Sequence, residues 1–324
     1  MNRPSLVSSP EDGSDNRADG NTGDKPCKKY VFIGFGDIAR GCAETLVAQG
    51  QQVFGIARSD KNAIDGVTLW RGAVRDAHIL KALTEHDFDV AVITLTPDAD
   101  ARDEQGYTDT YVNNVQALID VWQHDDNPAP KCILFVSSSS VYAQRDGEWV
   151  DESSATDPLR YNGKVLVQTE DLLLQSGLNT SVVRFSGIYG PGRDHLLKQV
   201  LKGIPGGSGF TNRIHIDDCR GVLLHLMARA EHKALQNIYL ATDCTPVASR
   251  DVREWLAQQL NCDLNAEDTT GGAVKRGGVG SKRCRNIRLL YSGYCFTYPS
   301  YQQGYAAQIQ TLLADLAKKK SLDN

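Results

Sequence analysis

The stretch that decides the fold is KYVFIGFGDIA, residues 29 to 39. A short apolar run, Lys29–Ile33, meets a glycine-rich turn that continues directly into a helical pattern. Gly34 permits a tight turn, and Gly36 leaves room for another group to approach the backbone. A strand followed by such a turn and a helix is typical of the first unit of a parallel α/β sheet. We therefore expect similar strand-helix units to follow it.

The chain after this unit alternates between short apolar runs and longer helical patterns. Strands are predicted at Lys29–Ile33, Gln52–Ala57, Val67–Trp70, Asp89–Leu95, Lys131–Val136, Thr180–Phe185 and Asn237–Ala241. Helices are predicted at about 37–49, 76–86, 104–124, 158–176 and 194–202, with another beginning after Ser249. Nearly continuous apolar strands suit a sheet that is covered on both faces. The predicted fold class is α/β, a Rossmann doubly wound parallel sheet with a smaller C-terminal substrate lobe.

Composition and charge exclude several classes of protein. The 324 residues include 35 Lys and Arg against 40 Asp and Glu, a net charge of −5, so we expect no general affinity for nucleic acid or for a membrane surface. No uncharged apolar run is long enough to cross a bilayer. The eight cysteines contain no C-x-x-C pair, which argues against a zinc site and a disulfide framework. We expect reduced thiols and a cytoplasmic protein.

The glycine-rich turn also predicts a ligand. Residues 34 to 39 follow the pattern G-x-G-x-x-A, in which a small third residue lets the helix pack on the strand. The phosphates of a dinucleotide would then face the helix N-terminus and its free N–H groups. The alternative is a tight turn without a ligand. The residues predicted to bind the cofactor at this turn are Gly34, Gly36, Asp37, Ile38 and Ala39.

The end of the second strand indicates which dinucleotide is bound. The sequence there is Ala57, Arg58 and Ser59, whereas an NAD site usually offers an acid to the adenosine ribose. A guanidinium beside a hydroxyl suits a 2′-phosphate, so NADP is favoured over NAD, although an exposed arginine at a strand end is the alternative. Asp76 could accept a hydrogen bond from the adenine amine or could cap the next helix.

These features divide the chain into three parts. Residues 1–26 are polar and acidic, and we expect a disordered tail. Residues 27–190, with the strand at about 236–242, are predicted to form the NAD(P)-binding Rossmann domain. Residues 191–235 and 243–320 are predicted to form the substrate-binding lobe.

Several segments together resemble the extended short-chain dehydrogenases/reductases of the NAD-dependent epimerase/dehydratase family. FVSSSSVY at 135–142 is similar to its SS-x-x-VYG segment, RFSGIYGPGR at 184–193 to its R-x-x-x-x-YGP loop, and RIHIDD at 213–218 to its R-x-H-V-D-D element. SKRCRN at 281–286 and YPSYQQG at 298–304 resemble an atypical, YeeZ-like branch. The resemblance implies that the YGP loop lies beside the nicotinamide, with Ser186 contacting the cofactor and Arg193 the substrate.

The family's catalytic residues are only partly matched. The resemblance places Ser138 at the Ser/Thr position that polarises a carbonyl. The family pattern Y-x-x-x-K-x-x-x-E, anchored on Glu170, puts Asn162 at the Tyr position and Leu166 at the Lys position. Tyr161 and Lys164 could form a shifted catalytic pair, because residues three apart share a helix face. The alternative is that Tyr161 packs at the helix start and Lys164 is solvated.

A basic segment near the C-terminus is a candidate for binding an anionic substrate. Six cations and no acid occur between residues 275 and 288: Lys275, Arg276, Lys282, Arg283, Arg285 and Arg288. Arg283 is the candidate substrate ligand, because a guanidinium fork matches phosphate or carboxylate. The alternative is a basic segment that covers an acidic neighbour. His215, Asp217 and Asp218 lack a fourth partner, so we expect no metal.

Two functions remain open from the sequence. The first is an NADP-linked oxidoreductase or epimerase/dehydratase-like enzyme acting on a sugar-like or carbonyl substrate. The second is a non-catalytic dinucleotide-binding or redox-sensing protein, for which Leu166 at the Lys position is the motivating feature. The expected partner is a small molecule, and an anionic one suits the arginines. The resemblance also suggests a homodimer formed through the helices at 104–124 and 158–176.

Overall fold

Seven parallel strands form the central sheet in the computed structural model, which describes residues 27–59, 64–265 and 281–322. With the short strands outside this sheet, the strands of the described residues are β1 Lys29–Ile33, β2 Gln52–Ala57, β3 Val67–Arg71, β4 Val90–Ile93, β5 Cys132–Ser138, β6 Asp146–Val150, β7 Thr180–Phe185, β8 Gly187–Tyr189, β9 Phe210–Thr211, β10 Arg213–His215, β11 Ile238–Ala241, β12 Val247–Ala248 and β13 Ser281–Cys284. The predicted tail, Lys275 and Arg276 lie outside the described residues.

Helices alternate with strands along the chain, and the last two helices follow β13. They are α1 Asp37–Ala48, α2 Ala77–Thr84, α3 Glu104–Thr108, α4 Asn114–Trp122, α5 Tyr161–Gln175, α6 His195–Leu201, α7 Ile216–Ala230, α8 Ser249–Leu260, α9 Ile287–Tyr291 and α10 Tyr301–Leu322. None of the helices in the described ranges is long and apolar enough to span a membrane.

The strand order confirms the predicted Rossmann topology. The sheet runs β3-β2-β1-β4-β5-β7-β11, and every neighbouring pair is parallel. The chain starts in the middle at β1, winds outward to β3, and returns through β4 to the other edge. Winding reverses between β1 and β4, and ligands of open α/β sheets bind at the carboxyl ends of the strands at such a reversal.

Each face of the sheet is covered by helices, as the apolar strands predict. Leu83, Leu118 and Leu173 from α2, α4 and α5 are buried against one face. Ala43 and Leu223 from α1 and α7 are buried against the other face. The sheet is therefore the middle layer of three.

Helix α7 changes the division of the chain that the sequence predicts. It falls within the segment 191–235 that we assigned to the substrate lobe. In the structure its buried residues, such as Val222, Leu226 and Met227, belong to the same core as α1 and the sheet. The smaller lobe has a separate core in which α6, α8 and α10 contribute residues such as Val200, Leu256 and Tyr305. We therefore place residues 216–230 with the Rossmann layers.

The helix predicted at 104–124 is present from Glu104 to Trp122, but one segment of it is π-helical. A π-helical turn, Asp109–Asn113, separates α3 from α4. The side-chain amide of Asn113 donates to a carboxylate oxygen of Asp109 at 2.7 Å, and that of Asn114 donates to the carbonyl of Thr110 at 3.0 Å. Single π turns inside helices are frequent at functional sites. This turn borders the cavity described below.

Candidate functional site

A cleft of about 700 Å³ opens at the carboxyl ends of the central strands. It extends from the turn between β1 and α1, past the end of β2 and the loop after β3, to the loop after β4 and the π turn. The residues lining it include Gly34, Gly36, Ala57, Arg58, Ser59, Gly72, Ala73, Arg75, Thr94, Thr96, Asp98, Asp109, Thr110 and Asn114. Its position is the one expected for the ligand of a doubly wound sheet.

Gly34 is required by the fold itself. Its φ of +91° lies in the region that favours glycine, and a Cβ there would stand 2.8 Å from the carbonyl oxygen of Thr94. The Gly34 N–H donates to the carbonyl of Ile56 at 3.2 Å, and its own carbonyl accepts from the Thr94 hydroxyl at 2.5 Å. Gly34 therefore fastens the turn to β2 and β4.

Gly36 has a different role, because the fold does not require a glycine there. Its φ is −83°, and a Cβ would have no neighbouring atom within 4 Å. Gly36 lines the cleft and directly precedes α1, whose first N–H groups offer hydrogen bonds to an anion. The empty space beside Gly36 and the helix N-terminus together fit the pyrophosphate of a dinucleotide.

The far end of the cleft contains Arg58 and Ser59, as the sequence predicts for the adenosine side. Asp98, from the loop after β4, accepts hydrogen bonds from both terminal nitrogens of the Arg58 guanidinium. The distance from Nη2 of Arg58 to Oδ1 of Asp98 is 2.6 Å. Hydrogen bonding to Asp98 raises the pKa of Arg58 and lowers that of Asp98. Asp76 does not line the cleft, since its carboxylate accepts from the Ala73 N–H at 2.8 Å before α2.

A smaller inner pocket of about 230 Å³ shares Gly36 and Thr94 with the cleft and continues towards the C-terminal lobe. The lining also includes Asp37, Ile38, Ala39, Leu95, Thr96, Tyr111, Val136, Ser137, Ser138, Leu166, Ile188 and Arg193. All five residues predicted at the glycine-rich turn therefore border one of the two cavities. The pocket thus adjoins the cleft at the N-terminus of α1.

Ser138 and Leu166 face this inner pocket together. The Ser138 hydroxyl oxygen accepts from the Ser140 N–H at 3.1 Å, which leaves its own proton free to donate into the pocket. Leu166 is only 4% exposed. The alignment anchored on Glu170 thus identifies the residue at the family's Lys position, and that residue is apolar.

Tyr161 and Lys164 are not brought to Ser138. The Tyr161 hydroxyl donates to the carbonyl oxygen of Arg102, and its ring contacts Tyr107 with centroids 5.4 Å apart. Lys164 is exposed in a separate surface groove beside Asp157. Neither residue lines the inner pocket, because the first turn of α5 directs both side chains to the surface. The geometry matches the sequence alternative in which Tyr161 packs and Lys164 is solvated.

A buried hydrogen-bond network fixes the position of α5 behind the pocket. Glu170 accepts from the Ser137 hydroxyl at 2.5 Å and from the guanidinium of Arg184, with Nη2 to Oε2 at 2.5 Å. Arg184 also donates to the Tyr142 hydroxyl at 2.9 Å. Burial raises the pKa of Tyr142 to about 12, so this phenol stays protonated. Glu170 therefore connects α5 to both β5 and β7.

The YGP loop places its two candidates differently. Arg193 lines the inner pocket and forms an ion pair with Asp37, at 2.6 Å between Nη2 and Oδ2. The ion pair thereby joins the YGP loop to the first turn of α1. Ser186 is 5% exposed, and its hydroxyl donates to that of Thr242 at 3.0 Å. Ser186 lines neither cavity, so the structure does not bring it to the cofactor site.

Arg283, the candidate substrate ligand of the basic segment, does not line the inner pocket. The Arg283 guanidinium donates to the carbonyl of Gly147 at 2.7 Å and lies over the rings of Trp149 and Phe210, at 4.8 and 5.0 Å. Arg283 therefore fastens β13 to β6 and is not available to a substrate in the inner pocket. Burial lowers the pKa of Lys282.

Sequence reasoning missed Asp98 and Tyr111. Asp98 follows β4, and the rule that ligands bind at the carboxyl ends of strands could have indicated the loop that contains it. Tyr111 enters the inner pocket from the π turn, and helical periodicity carries no signal for such a turn. Burial raises the pKa of Tyr111. Within the described ranges no group of His, Cys, Asp or Glu could hold a metal ion.

Comparison with known proteins identifies the family. The model of the NAD-dependent epimerase/dehydratase family matches residues 34–239. These residues include the glycine-rich turn, which borders both cavities, and most of the sheet. The chain belongs to the NAD-dependent epimerase/dehydratase family.

Individual relatives agree with this. Protein YeeZ of Escherichia coli strain K12 is 30% identical over 223 residues, which are 65% of this chain and 77% of YeeZ. A structure from Methylobacillus flagellatus, provisionally described as an NAD-dependent epimerase/dehydratase, has 29% identity and a TM-score of 0.73, covering 88% of this chain and 98% of that chain. UDP-glucuronic acid 4-epimerase from Bacillus cereus, solved with UDP-glucuronic acid and NAD, shares the fold at 18% identity and a TM-score of 0.69, covering 87% and 98%.

Proposed function

We propose that this protein binds NAD(P), with NADP preferred, and acts as an oxidoreductase or epimerase/dehydratase-like enzyme on a sugar-like or carbonyl substrate. The observation that carries the proposal is the open space beside Gly36, at the N-terminus of α1 and at the wall of a 700 Å³ cleft. A glycine that the fold does not need, at a helix N-terminus facing a cleft, fits a bound pyrophosphate.

The residues around the two cavities would divide the work of holding cofactor and substrate. Gly34, Gly36 and the first turn of α1 would hold the pyrophosphate, and Arg58 with Ser59 would hold the adenosine end. When bound, the dinucleotide supplies a hydride donor or acceptor. Ser138 would donate a hydrogen bond from its hydroxyl to the substrate oxygen in the inner pocket. The apolar side chains of Leu166 and Ile188 would exclude water beside it.

The substrate class we propose is a small anionic molecule, and a nucleotide-activated sugar is its best candidate. Arg193 is the cation that lines the inner pocket, and its charge is only partly used by the exposed carboxylate of Asp37. The Bacillus cereus enzyme of the same fold was solved with UDP-glucuronic acid, which supports this class.

A second candidate function is a non-catalytic dinucleotide-binding or redox-sensing role. It is favoured by Leu166 in the inner pocket and by the position of Tyr161 outside it. With Leu166 at the family's Lys position and Tyr161 outside the pocket, the family's Tyr/Lys proton-transfer pair would be missing. In this case the cofactor would bind without turnover.

Mass spectrometry of small molecules released by denaturing the purified protein tests the proposal. We expect NADP or NAD in the released fraction, and a nucleotide sugar beside it if the substrate class is right. Mixing the protein with NADP(H) or NAD(H) and nucleotide sugars, while following nicotinamide absorbance and product by chromatography, separates the enzyme from the sensor. The proposal fails if no dinucleotide is released and neither form binds when added.

We also propose a cytoplasmic homodimer. The eight cysteines are all free, which suits a reducing compartment. Half-buried apolar residues on α4 and α5, namely Val121, Val167 and Leu174, offer a surface for a second copy. Sedimentation equilibrium should give about twice the chain mass of 35.5 kDa, and a single-chain mass at all concentrations would exclude the dimer.

A further inference from the structure

The adenosine end of the cleft contains a carboxylate that the glycine turn and the second strand do not predict. Asp98 comes from the loop after β4 and reaches Arg58 at the end of β2. Both Asp98 oxygens accept hydrogen bonds from the two terminal nitrogens of Arg58. This fork-to-fork arrangement is the one that a phosphate would make with the same guanidinium.

The pair bears directly on the choice between the two dinucleotides. NADP differs from NAD by a 2′-phosphate on the adenosine ribose, and Arg58 is the residue whose charge suits that phosphate. While Asp98 holds Arg58, a phosphate must displace the carboxylate or bind beside it against like charge. The ribose hydroxyls of NAD are neutral donors, and a carboxylate accepts hydrogen bonds from them.

We propose that Asp98 is a specificity-determining residue that lowers the preference for NADP by occupying the guanidinium of Arg58. The inference rests on the proposed function, because it needs a dinucleotide in the cleft. Asp98 comes from the loop after β4, whereas NAD sites usually carry their acid at the end of the second strand. Arg58 alone would make the site selective for NADP. Its ion pair with Asp98 shifts the preference of the site towards NAD.

Other charges at this end of the cleft do not replace Asp98. Arg75 lines the cleft from the loop after β3 and adds a second cation. Asp100 acts on Arg58 only through its charge, because the carboxylate in hydrogen-bond contact is that of Asp98. Both side chains of the Arg58–Asp98 pair are about half exposed, 61% and 49%, so the pair can open without unfolding its surroundings.

The test measures the dissociation constants of NADP and NAD by isothermal titration calorimetry in the wild type and in Asp98→Asn. We expect the ratio Kd(NADP)/Kd(NAD) to fall about three- to fivefold in Asp98→Asn, the size of one well-formed exposed ion pair. Asp100→Asn is the matched control, since it removes the same charge from the same loop. Its ratio should change less than about twofold. In an Arg58→Gln background, Asp98→Asn should change the ratio by less than about twofold as well.

Each outcome decides between the inference and the function on which it rests. A ratio that falls as far in Asp100→Asn as in Asp98→Asn would reduce Asp98 to a general charge and overturn its role, while leaving dinucleotide binding intact. A ratio that rises in Asp98→Asn would overturn it too. If the wild type binds neither dinucleotide, the proposed function fails and the role of Asp98 fails with it.

Discussion

At the scale of single residues, the inner pocket places the Ser138 hydroxyl and the apolar side chain of Leu166 on the same wall. Ser138 can donate to a substrate oxygen, but Leu166 occupies the position from which a lysine would lower the pKa of a phenol. A phenol with its ordinary pKa of about 10 is a poor base near neutrality. Tyr161 and Lys164, the candidates for a shifted catalytic pair, do not line the pocket.

Replacing Tyr161 should therefore have little effect on turnover. We expect Tyr161→Phe to keep kcat within about threefold of the wild type on any substrate that supports hydride transfer, because its hydroxyl is used on the Arg102 carbonyl. Ser138→Ala is the matched comparison, with an expected loss of about a hundredfold. A comparable loss in Tyr161→Phe, measured by steady-state kinetics, would show that the side chain moves into the pocket during the reaction.

Asp243 is a residue whose ionisation should affect stability. It is 1% exposed, its Oδ1 accepts from the Thr245 N–H at 3.2 Å, and its Oδ2 has no hydrogen-bond partner. Burial raises the pKa of Asp243 to about 7, although the charge of Arg213 acts in the opposite direction. Because the folded pKa lies above the unfolded one, the protonated form stabilises the fold below about pH 4, and this contribution is lost as the pH rises through about 7.

The substitution Asp243→Asn should flatten the pH dependence of stability between about pH 4 and 7. Thermal unfolding across this range measures the effect as the slope of Tm against pH. The slope, and not the absolute Tm, is the readout, because the amide also changes the surroundings of Arg213. Equal slopes in the variant and the wild type would show that Asp243 does not titrate in this range.

At the scale of elements, the sheet edge at β11 is closed by side chains. The Glu152 carboxylate accepts from the Leu240 N–H at 2.9 Å, and Arg288 donates to the carbonyl of Ile238 at 2.9 Å. Glu152 is 4% exposed, and the two charged groups are 3.7 Å apart. Unpaired edge strands invite association with other chains, so these contacts protect the edge.

Removing the Glu152 carboxylate should destabilise the protein measurably. Glu152→Ala leaves the buried Leu240 N–H without an acceptor, and we expect a loss of about 1–3 kcal/mol in the free energy of unfolding. Glu44→Ala removes a carboxylate from an exposed helical pair with Arg40 and should cost less than about 0.5 kcal/mol. Urea titration measures the free energy of unfolding of both variants. Equal losses would show that the edge contact stabilises the protein no more than an exposed ion pair does.

The elements also show which structural features could be predicted from sequence. The seven strands of the main sheet are local apolar runs, which is why all seven were predicted. The strands β6 and β13 were not predicted, because DGEWV and SKRC are polar and pair only with each other across the chain. The π turn was missed because one extra residue in a helix barely disturbs its apolar periodicity.

At the scale of the whole molecule, one ion pair connects the YGP loop to α1, the helix that follows the glycine-rich turn. Arg193 binds Asp37, and both line the inner pocket. The cofactor half of the site could be predicted because its glycine turn is a contiguous motif. The catalytic half could not, since Tyr161 and Leu166 acquire their positions from the register of α5, which the buried contacts of Glu170 and Arg184 determine.

We expect the Arg193–Asp37 ion pair to link the position of the YGP loop to the affinity for the dinucleotide. Arg193→Gln leaves the Asp37 carboxylate facing the pyrophosphate alone, so we expect dinucleotide affinity to fall about tenfold. Asp37→Asn should change it less, and the double variant should recover part of the loss. Calorimetric titration of the four proteins measures the coupling. Additive effects of the two substitutions would show that Arg193 and Asp37 act independently.

The central claim, that the cleft beside Gly36 binds a dinucleotide, is tested most directly by calorimetric titration of NADP and NAD into Gly36→Val. The structure leaves room for a Cβ at Gly36 and its φ of −83° suits any residue, so we expect the variant to fold and to melt near the wild-type temperature. Gly207→Val is the matched control, because its Cβ also meets no neighbour within 4 Å but lies away from both cavities. We predict that wild type and Gly207→Val bind alike and that Gly36→Val loses at least about a hundredfold in affinity. Unchanged affinity in a folded Gly36→Val variant would contradict the account.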